Sequence, residues 1–351
     1  MKTIFKSAAY IILALAAAGC AKAVTEGTNE AEKRFFEAWM ETHHPGLTPE
    51  EGLGIYILEE ETGDGAAVEP DGYILAEYTV TDLDGNISSY TGKEVAKQLG
   101  KFDTTAYYGP KVMPTFKGSM QAGLAKAVIG MKAGGRKKVI IPGWLMSYAS
   151  YDSEKEYLEN STSGKNTIYE IRVTEFTDSI GLWEKEQIGK YFKANSDIFE
   201  AMDTTDFLVT DIDDKETKFD GMYYKTLKPA QKEFDSDTTI YINYTGKLLN
   251  GLVFDTTDEK TAKDNGLYSS ARSYEPIKIQ WNKDYKEITM GSNSSSTISG
   301  FALALSQMGA FEEGIAVFTS TYGYGNSGSG SSIPGFSPLI FEIEVVAEPE
   351  D

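Results

Sequence analysis

Thr238–Thr257 reads TTIYINYTGKLLNGLVFDTT. Apolar and polar residues alternate from Thr238 to Lys247, the period of a strand with one buried face. Asn250-Gly251 then supplies a two-residue hairpin turn, and Leu252-Val253-Phe254 starts the returning strand. The pattern has a precedent in the same chain. Glu77-Tyr78-Thr79, followed by Asp84-Gly85, stands 166 residues before Asn243-Tyr244-Thr245 and Asn250-Gly251.

Three further landmarks repeat in the same order. Gly54-Ile55-Tyr56-Ile57 returns as Gly221-Met222-Tyr223-Tyr224 at an offset of 167. Gly123 and Met131 return as Gly300 and Met308 at 177, and Ile168-Tyr169-Glu170-Ile171 as Ile340-Phe341-Glu342-Ile343 at 172. A period this long means two globular units with different loop insertions, since solenoid repeats run about 20–50 residues. Phe301, Leu305 and Met308 at i, i+4 and i+7 predict one short helix late in the unit, and Leu339–Val345 predicts a closing strand. One short helix among many strands is an α+β pattern with a mostly antiparallel sheet. A helical segment precedes each unit. Glu30–Glu41 carries Phe35, Phe36 and Trp39, and Leu182–Met202 carries Trp183, Ile188, Tyr191, Phe192, Ile198 and Phe199 with a break near Asn195-Ser196. Both are expected to pack on their domains rather than on a partner.

Composition agrees with two domains. The chain has 351 residues, 41% hydrophobic and 12% aromatic, enough for two cores and too much for global disorder. A single cysteine excludes an intramolecular disulfide framework and a cysteine-rich zinc site. The two histidines are the neighbours His43 and His44, which leaves little room for a histidine triad or a multi-histidine metal site. The net charge of −20 would repel a phosphate backbone, so nucleic-acid binding is not expected.

The N-terminus predicts export. Lys2 and Lys6 precede an apolar run from Ala8 to Ala18, as in a secretory signal peptide. That run is too short for a bilayer span, which needs about 20 residues. Ala17-Ala18-Gly19-Cys20 looks like a bacterial lipobox, with alanine at Ala17 where leucine is commonest. Cleavage before Cys20 would leave that cysteine lipidated, and two acyl chains anchor a protein stably. The expectation is an exported protein, lipid-anchored to the bacterial cell envelope, on the outer membrane. The plainer alternative is an ordinary signal peptide with an incidental cysteine.

Some motifs fail on inspection. Gly323-Tyr324-Gly325-Asn326-Ser327-Gly328 has dinucleotide-fingerprint spacing, but Ser329–Pro334 cannot open the helix that would receive the phosphates. Asp211-Ile212-Asp213-Asp214 starts like a calcium loop, yet Lys215 takes a ligand position and Glu216 replaces the required glycine. Glu59-Glu60-Glu61 reads as a charged edge rather than an acid–base site.

The second unit carries a site. In order it holds Tyr244-Thr245-Gly246, Asn250-Gly251, Phe254-Asp255-Thr256-Thr257, Pro276-Ile277-Lys278-Ile279, Ile298-Ser299-Gly300-Phe301, Met308, Tyr322-Gly323-Tyr324-Gly325, Ile333-Pro334 and Leu339-Ile340-Phe341. Over about residues 220–346 this set resembles the FKBP-type peptidyl-prolyl cis-trans isomerase family. The resemblance implies two domains in which a twisted antiparallel sheet wraps a short helix and leaves an aromatic pocket between them. Pocket positions then fall on Tyr244, Phe254, Asp255, Ile298, Phe301, Tyr324, Ile333 and Phe341, with Ile277 and Thr297 as less certain members. Phe301 stands where the family most often has tryptophan. By the same resemblance the Tyr324 hydroxyl and the Ile298 N–H hold substrate carbonyls, Asp255 orients Tyr244, and the reaction needs no metal or organic cofactor. Proline-containing polypeptide clients would be the substrates, and protein folding at the envelope the role. A membrane-tethered chaperone or assembly subunit, binding without turnover, is the competing expectation.

The domain boundaries follow: a signal peptide over 1–19, an N-terminal helical segment over 20–51, a degenerate FKBP-like domain over 52–176, a helical linker over 177–215 and an isomerase domain over 216–351. The first unit keeps Tyr78, Gly123, Met131, Ile140-Ile141-Pro142 and Tyr169. Its pocket positions differ, with Ser88-Ser89 for Phe254-Asp255, Gln121 for Ile298, Leu124 for Phe301, and Tyr148 as a loose counterpart of Tyr324. Asp258–Glu275 and Asn282–Ser296 read as long loops at the pocket mouth.

Overall fold

The computed structural model describes residues 28–147, 151, 153–160, 164–200, 208–210, 218–234, 237–291 and 295–350. Residues 1–27, with the expected signal peptide and Cys20, lie outside the described residues, as do Tyr148 and the acidic stretch Asp211–Glu216.

The described chain builds two antiparallel sheets. The first holds β1 (Tyr56–Glu61), β2 (Tyr73–Thr81), β3 (Ile87–Tyr90), β4 (Lys111–Pro114), β5 (Arg136–Ile141) and β6 (Thr167–Thr177). Its order is β1-β5-β6-β2-β3, with β4 also on β2. The second holds β7 (Leu208–Thr210), β8 (Lys218–Lys228), β9 (Thr238–Leu248), β10 (Val253–Thr256), β11 (Ile277–Trp281), β12 (Thr289–Met290), β13 (Ser295–Ser296), β14 (Glu313–Phe318) and β15 (Leu339–Val346). Its order is β13-β12-β11-β9-β15-β14-β8-β7, with β10 on β9. The run β8-β14-β15-β9 therefore repeats β1-β5-β6-β2. The registers repeat too, since Tyr56 faces Ile140 as Tyr223 faces Val317. Tyr78 faces Ile171 as Tyr244 faces Ile343. The fold is α+β, two units that share strand order and register.

One face of each sheet cradles a short helix. Ala122–Val128 and Ser299–Ser306 lie so close to their sheets that a Cβ on Gly123 would meet Ile141 Cγ2, and one on Gly300 would stand 2.6 Å from the Phe318 ring. This close approach accounts for the repeated glycine. Met131 and Met308, just beyond the two helices, are both buried.

The opposite face carries the preceding helix. Thr28–His43 lays Phe36 and Met40 on Ile140, with Tyr56 and Ile168 packed alongside. Ile180–Ala194 and Ser196–Phe199 lay Ile188, Phe192 and Phe199 on Tyr223, Val317 and Ile340, the corresponding sheet positions. The duplicated unit thus includes its leading helix. The break at Asn195 falls where the sequence placed it, with the Asn195 side chain donating to the Tyr191 carbonyl at 2.8 Å.

The Glu59–Glu61 edge is paired across the strands. Arg136 reaches Glu59 at 2.9 Å and Glu170 at 2.8 Å, and Lys137 reaches Glu60 at 3.2 Å. Two expected loops contain regular structure. Asp258–Glu275 opens as the helix Glu259–Asp264, whose first turn Asp258 caps by accepting the Thr261 N–H at 2.6 Å. Asn282–Ser296 includes a short 3₁₀ turn, Tyr285–Glu287, together with β12 and β13.

Candidate active site

A cleft of about 260 Å³ opens between the second sheet and its helix, lined by Tyr244, Phe254, Asp255, Met290, Ser296, Thr297, Ile298, Phe301, Tyr324 and Phe341. Strand alternation would turn Phe254 and Asp255 to opposite faces, but β10 shifts register between Val253 and Asp255. Such a bulge re-aims side chains, and here both reach the cleft. Gly246 on the neighbouring strand leaves room for this, because a Cβ there would stand 2.5 Å from the Phe254 ring. The helix contributes Phe301 as a nearly buried floor, with Ile298 as its N-cap residue. Phe341 comes from β15. Tyr324 follows the 3₁₀ turn Ser320–Tyr322.

The aromatic rings interlock. Phe341 meets Phe301 at 4.8 Å and Phe254 at 5.6 Å, both edge to face, and Tyr244 meets Phe301 at 5.4 Å. Edge-to-face geometry sets the positive rim of one ring on the negative face of another, which fixes the walls as well as drying them.

Polar groups occupy one side. The Tyr244 hydroxyl donates to Asp255 Oδ2 at 2.5 Å, and Arg272 Nη1 donates to Asp255 Oδ1 at 2.6 Å. Burial, followed by the neighbouring Asp255 charge, pushes the Tyr244 phenol well above its ordinary pKa. The same two causes, in the same order, raise Tyr324. Both phenols therefore stay protonated at neutral pH and act as donors. Tyr244 is committed to Asp255, whereas the Tyr324 hydroxyl has no hydrogen-bond partner among the described residues. Behind Tyr324, the linker helix sends in the buried Glu184, whose carboxylate accepts the Ser320 N–H and the Ser320 hydroxyl, each at 2.6 Å.

Of the ten positions assigned from the sequence, eight line this cleft, Thr297 among them. Ile333 is only 4% exposed and belongs to the core beneath the cleft. Ile277 packs on the same core from β11 without reaching the cleft wall. The sequence reading missed Met290 and Ser296 on the wall and Arg272 on Asp255. It also missed a signal. Thr91, Ala96, Lys97 and Gly100 return as Thr257, Ala262, Lys263 and Gly266 at an offset of 166, which marks a helix in the stretch read as a loop.

In the first domain, Tyr78 accepts a hydrogen bond from the Thr91 N–H as Tyr244 does from the Thr257 N–H, each at 3.0 Å. Ser88 and Ser89 thus hold the places of Phe254 and Asp255, and Gln121 caps its helix where Ile298 caps the other. Leu124 sits in the first core as Phe301 does in the second. Among the described residues this side has neither the aromatic wall nor the carboxylate.

Comparison with known proteins places residues 230–346 in a match to the family of FKBP-type peptidyl-prolyl cis-trans isomerases. A probable FKBP-type peptidyl-prolyl cis-trans isomerase of Haemophilus influenzae is 31% identical over 134 residues, 38% of this chain and 45% of that protein. The FKBP-type 22 kDa peptidyl-prolyl cis-trans isomerase of Escherichia coli is 27% identical over 127 residues, 36% of this chain and 49% of its own length. The chain thus spans about half the length of these two relatives. Among solved structures, the three FKBP domains of wheat FKBP73 align with 85% of this chain and 96% of theirs, at 16% identity and a TM-score of 0.28. The second domain belongs to the FKBP-type peptidyl-prolyl cis-trans isomerase family.

Proposed function

We propose that the chain is a peptidyl-prolyl cis–trans isomerase whose second domain does the turnover, acting on exported polypeptides at a bacterial cell envelope. The observation that carries this reading is the cleft itself, an interlocked aromatic lining with one unengaged hydroxyl, Tyr324, at its edge.

The chemistry asks for little else. Resonance in the peptide unit sets a rotation barrier of about 18–20 kcal/mol. An X–Pro bond therefore isomerises in tens to hundreds of seconds unaided. At the twisted transition state the resonance is lost and the carbonyl oxygen carries less negative charge. A dry cleft walled by Phe254, Phe301 and Phe341 favours that less polar form over the planar ground state, which lowers the barrier by differential binding without a covalent step. The Tyr324 hydroxyl and the Ile298 N–H hold substrate carbonyls on either side of the rotating bond. Asp255 is neutralised by Arg272 and bound by Tyr244, so it orients the rim and does not draw water into the centre.

The test uses the full chain and short X–Pro peptides, with cis–trans exchange followed by NMR line shape. Acceleration that Phe254→Ala loses supports the reading. A folded chain that binds the peptide without accelerating exchange supports the tethered chaperone instead. Anchoring at Cys20 is tested in cells fed a labelled fatty acid. The wild-type chain is expected to take up label and sediment with membranes, and Cys20→Ser to do neither.

A further inference from the structure

Among its described residues the first domain has no such aromatic wall, yet it grips the second at the rim of the cleft. Its segment Lys101–Pro110 leaves the helix Lys93–Gln98 and crosses to the other domain. There the Tyr107 N–H donates to the Ser331 carbonyl at 2.9 Å, and the Tyr107 ring packs on the second core. Farther along, Tyr73 meets Phe336 edge to face at 5.5 Å.

Both contacts fall on the loop that follows Tyr324, and that loop passes them on. Ser329 and Ile333 bond each other's backbones at 2.8 and 3.1 Å, so Ser331 is the tip of a closed turn that fixes Ile333. The Phe336 N–H donates to the Gly325 carbonyl at 2.8 Å, one residue beyond Tyr324. Phe336 also holds φ at +59°, a region that disfavours side chains and persists only where surroundings over-determine it. On the opposite rim, Gly266 lies against Thr104, with its Cβ position 2.4 Å from Thr104 Oγ1. Gly266 begins the loop that carries Arg272 to Asp255.

We propose that the first domain is a brace for the second, with Tyr107 and Tyr73 as positioning residues that hold the loop of Tyr324 and Ile333 against the cleft. The brace fixes how wide the cleft stands and so which peptides it accepts. This rests on the isomerase reading for its consequence, but not for its detection.

The test is amide hydrogen exchange on the full chain, compared with Tyr107→Ala and with Tyr107→Phe, which keeps the ring. Tyr107→Ala is expected to speed exchange across 323–338 at least tenfold while amides of β9 and β15 keep their protection, and Tyr107→Phe to restore the wild-type rates. Phe336→Gly removes the second contact together with the unfavourable φ, and is expected to loosen the same loop. On short X–Pro peptides Tyr107→Ala is expected to raise KM about fivefold with kcat changed less than twofold. Unchanged exchange across 323–338 in both Tyr107→Ala and Phe336→Gly overturns the brace. An inactive wild-type chain with the exchange effect intact overturns the isomerase reading alone.

Discussion

The proposed mechanism gives Tyr324 and Phe254 different work, and their substitutions should part accordingly. Tyr324→Phe keeps the ring and removes one hydroxyl, a hydrogen bond contributing about 1 kcal/mol. That corresponds to a loss of about fivefold in kcat/KM. Its melting temperature should match the wild type, because the hydroxyl bonds nothing else among the described residues. Phe254→Ala strips a wall whose burial is worth about 1.5–3 kcal/mol, so a loss of tenfold or more is expected. Steady-state assays beside thermal melts check both. Eight of the ten positions assigned from the sequence meet in the cleft, where the hairpin, the helix cap and the closing strand of the repeating frame bring most of them together. Ile333, assigned to the pocket from the sequence, lies two residues past a turn tip and packs in the core beneath the cleft. Arg272 was not legible, because at the 166-residue offset its counterpart is Ala106, so the repeat itself gives no sign of a charge that reaches Asp255.

Elements explain what single residues cannot. Gly300 seats the helix of Phe301 against the fully buried Phe318 ring, which has nowhere to swing. Overpacking costs about 1–3 kcal/mol, while alanine gains about 1 kcal/mol of helix propensity. Gly300→Ala should therefore lower stability by up to about 2 kcal/mol and disturb the cleft floor, as denaturant melts and peptide KM will show. The linker helix offers a pH test. Burial raises the Glu184 pKa, and the hydrogen bonds from Ser320 only partly oppose it. A carboxyl with a raised folded pKa holds its proton better folded than unfolded, so its contribution falls as pH rises from the unfolded value towards the folded one. The melting temperature of wild type relative to Glu184→Gln is thus expected to drop as pH rises above about 4.5 and then level off. A difference that rises with pH would contradict burial as the dominant cause. The leading helices were read correctly as packed rather than free, since aromatic residues at helical spacing need a face to cover. The helix Glu259–Asp264 was missed because Ala262 is its one buried residue, too little apolar signal for a periodicity to register.

At the scale of the molecule, one unit occurs twice, and the aromatic cleft lies in the second copy. The repeat of strand order, register, helix seat and leading helix was legible because core geometry tolerates few residues at each landmark. The contact between the domains was not, because Tyr73, Tyr107 and Phe336 follow no repeat and meet only in three dimensions. The claim on which the rest depends is that turnover resides in the second cleft and nowhere else. It is tested most directly by X–Pro exchange in the full chain against a Phe254→Ala, Tyr324→Phe double variant in which the first domain is untouched. The expected result is acceleration by the wild type and a rate near the uncatalysed one for the variant, with the two melting curves alike in cooperativity. A variant as fast as the wild type, or a folded wild-type chain that accelerates nothing, would contradict the account.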